Sequence, residues 1–283
     1  MHQFHAVCEF NKILVIESLR EEDMHTGQQL YSDTLENLCK QNDIASEIIL
    51  VGTRQELLTA LIGVQADCPN GVKPILHFEV HGSEDRNGLI LQPPNELVTW
   101  AELKKLTKDI NDYCNNNLTI VMAVCYGFEA IKEVNILEST PYYALIGPVE
   151  SVSAGFICDK FPSFYKIIVE NLNLNDAFQV IQENYSMYLS ESLFVNVLSK
   201  YFIQYCSGTG KDRRIKDLMK KLKKKQKGKK LNYKKLKELA ERELQPKEEV
   251  FEKYKKTFLM SDREVNKGRF EFSYNEIIEN LNL

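Results

Sequence analysis

The 283-residue chain lacks the marks of a membrane-spanning, disulfide-stapled or metal-caged protein. No apolar run approaches the roughly 20 residues that a membrane-crossing helix needs. The opening MHQFHAVCEFNK lacks the charged-then-apolar layout of a signal peptide. A cytoplasmic protein with no membrane partner is the expectation. The seven cysteines, at positions 8, 39, 68, 114, 125, 158 and 206, are odd in number and include no C-x-x-C pair. Such spacing suits neither a disulfide framework nor a zinc site, so reduced thiols are expected and no metal. The one candidate phosphate loop, Gly208-Thr209-Gly210-Lys211, lacks the G-x-x-x-x-G-K spacing. No cofactor is expected.

What is present is ordinary for a globular enzyme: 43% hydrophobic and 27% charged residues, on a chain long enough to bury a sizeable core. The net charge of −4 conceals a division. Between Lys211 and Lys237 stand fifteen Lys or Arg against two Asp, a local +13 that leaves −17 for the rest. That segment could bind nucleic acid by releasing counterions. Its apolar Ile215, Leu218, Met219 and Leu222 also fall at helical spacing, which fits a helix with a solvated basic face, and an exposed lysine-rich linker would be open to proteolytic processing.

Hydrophobic periodicity alternates along the first 150 residues. KILVIES, SEIILVG, KPILHFEV, LTIVMAV and YYALIG are β-branched, apolar runs of strand length. Between them QQLYSDTLENLCK, the Thr-capped TRQELLTALIGVQA and the segment from Trp100 to Cys114 carry helical spacing. Asn87-Gly88 and Pro93-Pro94-Asn95 bracket two short apolar runs and predict a hairpin. Such alternation implies an α/β fold, a mostly parallel sheet flanked by helices. From Ser153 to Tyr205 the pattern reads as predominantly helical, NDAFQVIQENYSMYL included, so the α/β body is expected over residues 1–207, with the basic segment and a helical C-terminal extension over 208–283.

Two short stretches stand out within that frame. In ILHFEVHG, His77 and His81 are four apart, a spacing that on a helix could chelate zinc. On a strand they lie roughly 13 Å apart, too far to share one ion. His77 reads as part of the sheet. His81 ends the strand and is followed by Gly82, at the edge where parallel sheets bind ligands. The second stretch, AVCYG, places Cys125 at the end of the next long strand, before Gly127 and a helical segment whose N-terminus would favour a thiolate. A buried core cysteine is the alternative.

His81-Gly82, with Cys125-Tyr126-Gly127 beginning 44 residues beyond the histidine, resembles the His-Gly and Cys-x-Gly elements of caspase-like cysteine peptidases, a broad group that includes the bacterial CHAT proteins. The resemblance covers roughly residues 12–158 in element order. Val124 and Ala123 replace the alanine and glutamine that caspases proper place before the cysteine, so aspartate specificity is not implied. The resemblance implies a caspase-like sandwich, Cys125 as nucleophile, His81 as the proton-moving group, and backbone N–H groups of Gly82 and Cys125 as an oxyanion hole. No third residue is assigned. It further implies a protein or peptide substrate, activation by a partner or a small signalling molecule, and a role in antiviral defence or cell death.

Substrate selectivity would come from three segments, Ser18 to Asp23, Met122 to Val124, and Gly147 to Ser153. Their charged candidates are Arg20, which would favour an acidic side chain, and Asp23 and Glu150, which would favour a basic one. Two other functions remain open: a non-catalytic caspase-fold binding module with vestigial His and Cys, and a nucleic-acid-binding protein acting through residues 211–237.

Overall fold

Residues 6–225 and 232–281 are described by a computed structural model of the chain. Residues 226–231 of the basic segment lie outside the described residues. Among those described, no helix is long and apolar enough to cross a membrane.

The β-branched run at Lys12–Ser18 forms β1, in which Ile13, Leu14, Val15 and Ile16 are all fully buried. Its neighbours are β2 (Ala45–Leu50) on one side and β3 (Pro74–Gly82) on the other, both parallel to it. A hairpin, β4 (Gly88–Leu91) and β5 (Glu96–Thr99), comes after β3 and pairs with its last two residues through β4. Next come β6 (Thr119–Ala123) and β7 (Ala144–Pro148), both parallel members of the sheet. An antiparallel strand, β8 (Tyr185–Leu189), closes the order β2-β1-β3-β6-β7-β8.

Continuous apolar sequence in β1, β3 and β6 matches a sheet covered on both faces, where every side chain of a strand is inside. The covering helices start where the sequence places caps. Thr53 and Thr99 each close a capping box, with Glu56 and Glu102, at the starts of the helices Arg54–Asp67 and Trp100–Tyr113. Ser153 caps the helix Ala154–Asn171 through the Phe156 N–H. The segment after β1 is helical from 26 to 41, with a wider π turn at Tyr31–Leu35.

One element departs from the sequence reading. YSMYL, read as the end of a helix, is β8, which pairs with all five residues of β7. Tyr185, Tyr188 and Leu189 bury against the sheet edge, and the tertiary pairing outweighs the helical spacing of the residues before it.

The chain forms two compact units, one running to Ser190 and one from Glu191 onward, whereas the sequence pattern put the change near residue 207. The C-terminal unit is helical: Ser190–Tyr201 continuing through Phe202–Cys206, then Gly208–Lys225, Tyr233–Glu243, Glu248–Leu259 and Tyr274–Leu281. Its interior is aromatic. Phe194, Phe202, Phe251 and Phe258 are fully buried, and the Phe194 and Phe251 rings meet edge to face at 5.3 Å.

Candidate active site

The strand order turns back between β1 and β3: β2 lies on one side of β1, and β3, β6 and β7 lie on the other. At such a switch point the loops leaving adjacent strands diverge and leave a crevice at the carboxyl edge. Residues 19–25 leave β1 there, and His81-Gly82 ends β3 there.

Alternation along β3 puts His77, Glu79 and His81 on one face of the strand. The register between β3 and β6 runs from Ile75↔Thr119 to Glu79↔Ala123. Continued for two more residues, it sets Cys125 beside His81. Gly82 confirms the proximity: a Cβ built on it would stand 1.9 Å from the Cys125 carbonyl oxygen and 3.2 Å from Cys125 Cβ. Only a glycine lets the two strand ends come this close. The two residues singled out from sequence are thus brought together.

Asp23 completes a third side. Its loop closes on itself, with the Asp23 N–H on the Arg20 carbonyl at 3.1 Å and the Arg20 N–H on Asp23 Oδ2 at 2.9 Å. The same Oδ2 lies 2.7 Å from His81 Nε2. This hydrogen bond, more than any other cause, holds the Asp23 carboxyl below the ordinary carboxylate range. Asp23 is therefore ionised at neutral pH and can only accept, so His81 donates from Nε2. Nδ1 is the ring nitrogen left for chemistry.

Cys125 is half-buried. Its Sγ accepts the Val152 N–H at 3.4 Å and lies 3.7 Å from the Val152 carbonyl. Tyr126 turns the chain sharply with φ of 60°, in the left-handed region. Its N–H bonds the Glu150 carbonyl at 3.1 Å. The helical segment expected behind the thiol is a seven-residue 3-10 helix, Gly127–Glu133, so Cys125 does not face the aligned dipole of a long α-helix there.

Cys125, His81 and Asp23 line one cavity of about 130 Å³ together with Glu79, Ala123 and Val152. A larger cavity of about 410 Å³ lies over the ends of β1 and β2 but contains neither Cys125 nor His81. The chemistry of its wall, a thiol beside an imidazole, and not its volume makes the smaller cavity the candidate site.

Arg20 and Glu150 are exposed and line no part of the Cys125 cavity. The Glu150 carboxylate faces Arg86 Nη2 at 3.6 Å, and the Arg86 guanidinium stacks 4.3 Å from the Tyr126 ring centroid. Sequence reasoning missed Arg86, although it stands in the turn SEDRNG directly after His81-Gly82.

His77 is fully buried, edge-on to the Phe161 and Tyr165 rings. Burial raises the Tyr165 phenol well above its ordinary value, so its hydroxyl stays protonated, and it is hydrogen-bonded with His77 Nδ1 at 2.9 Å. His77 in turn donates from Nε2 to Glu79 Oε1 at 2.9 Å, and Thr26 donates to Glu79 Oε2 at 2.8 Å. Glu79, 1% exposed, was not singled out from sequence; its signal is the two-residue alternation with both histidines. Beside it in register, Glu17 accepts from His25 Nδ1, the Gln28 N–H and Gln28 Nε2. Gly27 lets the helix start lie directly on both carboxylates; a Cβ there would meet Glu17 Oε2 at 2.8 Å and Glu79 Cγ at 2.9 Å.

Among the described residues, no group of three or more His, Cys, Asp or Glu could hold a metal ion. No protein-family model and no curated protein sequence matches the chain.

Proposed function

We propose that the protein is a cysteine endopeptidase of the caspase-like kind, using Cys125 as nucleophile and His81 as proton carrier. One observation carries the reading: Cys125 and His81, from the ends of neighbouring parallel strands, line the same cavity, with Asp23 on the far nitrogen of the imidazole. A weak nucleophile needs a base beside it and a third group to orient that base. Asp23 takes the orienting role, which the sequence left unassigned.

His81 takes the thiol proton at Nδ1 while Nε2–H stays on Asp23. Attack by Sγ on the scissile carbonyl places negative charge on its oxygen. The N–H groups of Gly82 and Cys125 are the donors proposed for that charge, as the resemblance to caspase-like peptidases implies. His81 then returns the proton to the leaving amine, and water releases the acyl group by the reverse use of the same imidazole. The resemblance to caspase-like peptidases supports a regulated activity, with an activating partner or small signalling molecule and a defence or cell-death role.

The test is a comparison of wild type with Cys125→Ala on a mixed proteome, mapping new peptide termini by mass spectrometry. Cleavages present with wild type and absent with the variant are expected. Indistinguishable digests would sink the peptidase reading.

A further inference from the structure

We infer that Glu79 is the selectivity carboxylate of this site, and that the cavity beside Cys125 takes a lysine or arginine side chain on the acyl side of the cleaved bond. The inference rests on the peptidase reading and names its substrate class.

With the scissile carbonyl on Cys125 Sγ and its oxygen towards the Gly82 and Cys125 N–H groups, the side chain of the residue that owns that carbonyl enters the cavity Cys125 lines. The walls of that cavity are aliphatic: Leu19, Met24, Val80, Ala123, Val152 and Ile157. They suit a long methylene stem, which buries along apolar surface while its charged head seeks a polar end. The polar groups are Thr26, Asp23, His81 and Glu79, and no lysine or arginine stands in the wall. Beside the His81 imidazole the wall carries two carboxyl groups, Asp23 and Glu79.

Glu79 stands in the cavity wall with only 1% of its surface exposed. Every hydrogen bond it makes is one it accepts, from Thr26 Oγ1 and from His77 Nε2. The other ring nitrogen of His77, Nδ1, is engaged by the Tyr165 hydroxyl at 2.9 Å. Two acceptor sites of the roughly four on a carboxylate are used, which leaves room for an ammonium or guanidinium. Among the described residues no lysine or arginine pairs with it, and its contact with His77 is the hydrogen bond already named. Buried carboxylates are ordinarily matched by a positive charge. Here the substrate supplies it. An acidic substrate side chain would instead meet Asp23 and Glu79 within one cavity of about 130 Å³, the like-charge arrangement that such sites reject. Of the three charged candidates read from sequence, Arg20 lies outside the wall, Glu150 faces Arg86, and Asp23 is engaged by His81.

The experiment maps the residue on the acyl side of every cut made by the full chain in a denatured proteome. It also measures the rate at which peptidyl ketones ending in Lys, Arg, Leu or Asp label Cys125 in the wild type. Lys and Arg should dominate the cuts, and basic ketones should label at least about tenfold faster than the others. In Glu79→Gln that advantage should shrink towards equality. Cys125-dependent cleavage after Asp or Leu would overturn the inference and leave the peptidase reading intact. No Cys125-dependent cleavage would end both. A Glu79→Gln variant that keeps the basic preference would make Glu79 a purely structural link to His77. Should that variant not fold, the ketone series on wild type decides alone.

Discussion

At the scale of single residues, the hydrogen bond between Asp23 and His81 would set the direction of proton traffic in the proposed reaction. Because it fixes the proton on Nε2, replacing the carboxylate frees the imidazole to take either tautomer, one of which has no lone pair at Nδ1. In Asp23→Asn we expect kcat/KM to fall about 10- to 100-fold with little change in thermal stability, less than for a fully buried orienting carboxylate because Asp23 is 27% exposed. The sign with pH comes from the direction of the shift. A carboxyl held below its ordinary range keeps its bond at neutral and mildly acidic pH and loses it as the pH falls through the lowered value. Wild type should therefore lose in strong acid a component of activity that Asp23→Asn lacks at every pH. An Asn variant with wild-type activity would make Asp23 a bystander. His81 and Cys125 were legible in sequence because each ends an apolar strand and precedes or adjoins a glycine. The link from Asp23 was not: it joins residues 58 apart, and a loop carries no periodicity that reports where it folds back.

Among elements, β3 explains how one strand is both core and site. Residues 75–80 are buried, while His81 and Gly82 emerge at the edge. The alternating β and α pattern, the Thr53 cap and the hairpin after β3 were legible because each rests on local chemistry. β8 was not, because its strand character comes from pairing with β7 across some forty residues of intervening chain. The basic helix Gly208–Lys225 shows a similar split between local pattern and tertiary outcome. Ile215 is 5% exposed and Leu218 is 37% exposed, so the expected apolar stripe is anchored mainly at one residue while Lys216, Lys220, Lys221 and Lys224 are exposed. Ile215→Ala should cost about 2 kcal/mol in denaturant unfolding. The double change Lys220→Gln with Lys221→Gln should stay within about 0.5 kcal/mol of wild type. A large loss from the lysine pair would mean that those charges are structural partners instead of a solvated face.

For the molecule as a whole, every residue assigned to the reaction belongs to the unit that ends at Ser190, and the aromatic C-terminal unit contributes none of them. That unit has its own titrating group. Burial pushes the Glu191 carboxyl up to about 7 from an ordinary value of 4.5, partly offset by Arg269. Between those two values the folded state holds a proton that the unfolded chain has released, so stability falls as the pH rises through the window and levels off above it. The loss amounts to at most about 3 kcal/mol. Amide exchange in the helix Ser190–Tyr201 should accordingly speed up from pH 5 to pH 8 beyond the intrinsic chemical rate, and Glu191→Gln should abolish the excess. An unchanged excess in Glu191→Gln would assign the pH dependence to another group.

The line from Tyr165 through His77 to Glu79 ties the floor of the cavity to the interior of the sheet. A substitution at Glu79 leaves His77 and Thr26 without their acceptor, whereas Met24 and Val152 stand on loops that bear no such chain of donors. Taste for one substrate over another should therefore drift at the rim long before it changes at the floor. In a randomised library selected for new cleavage preferences, the first survivors should carry changes around the mouth of the cavity and keep the acid beneath it.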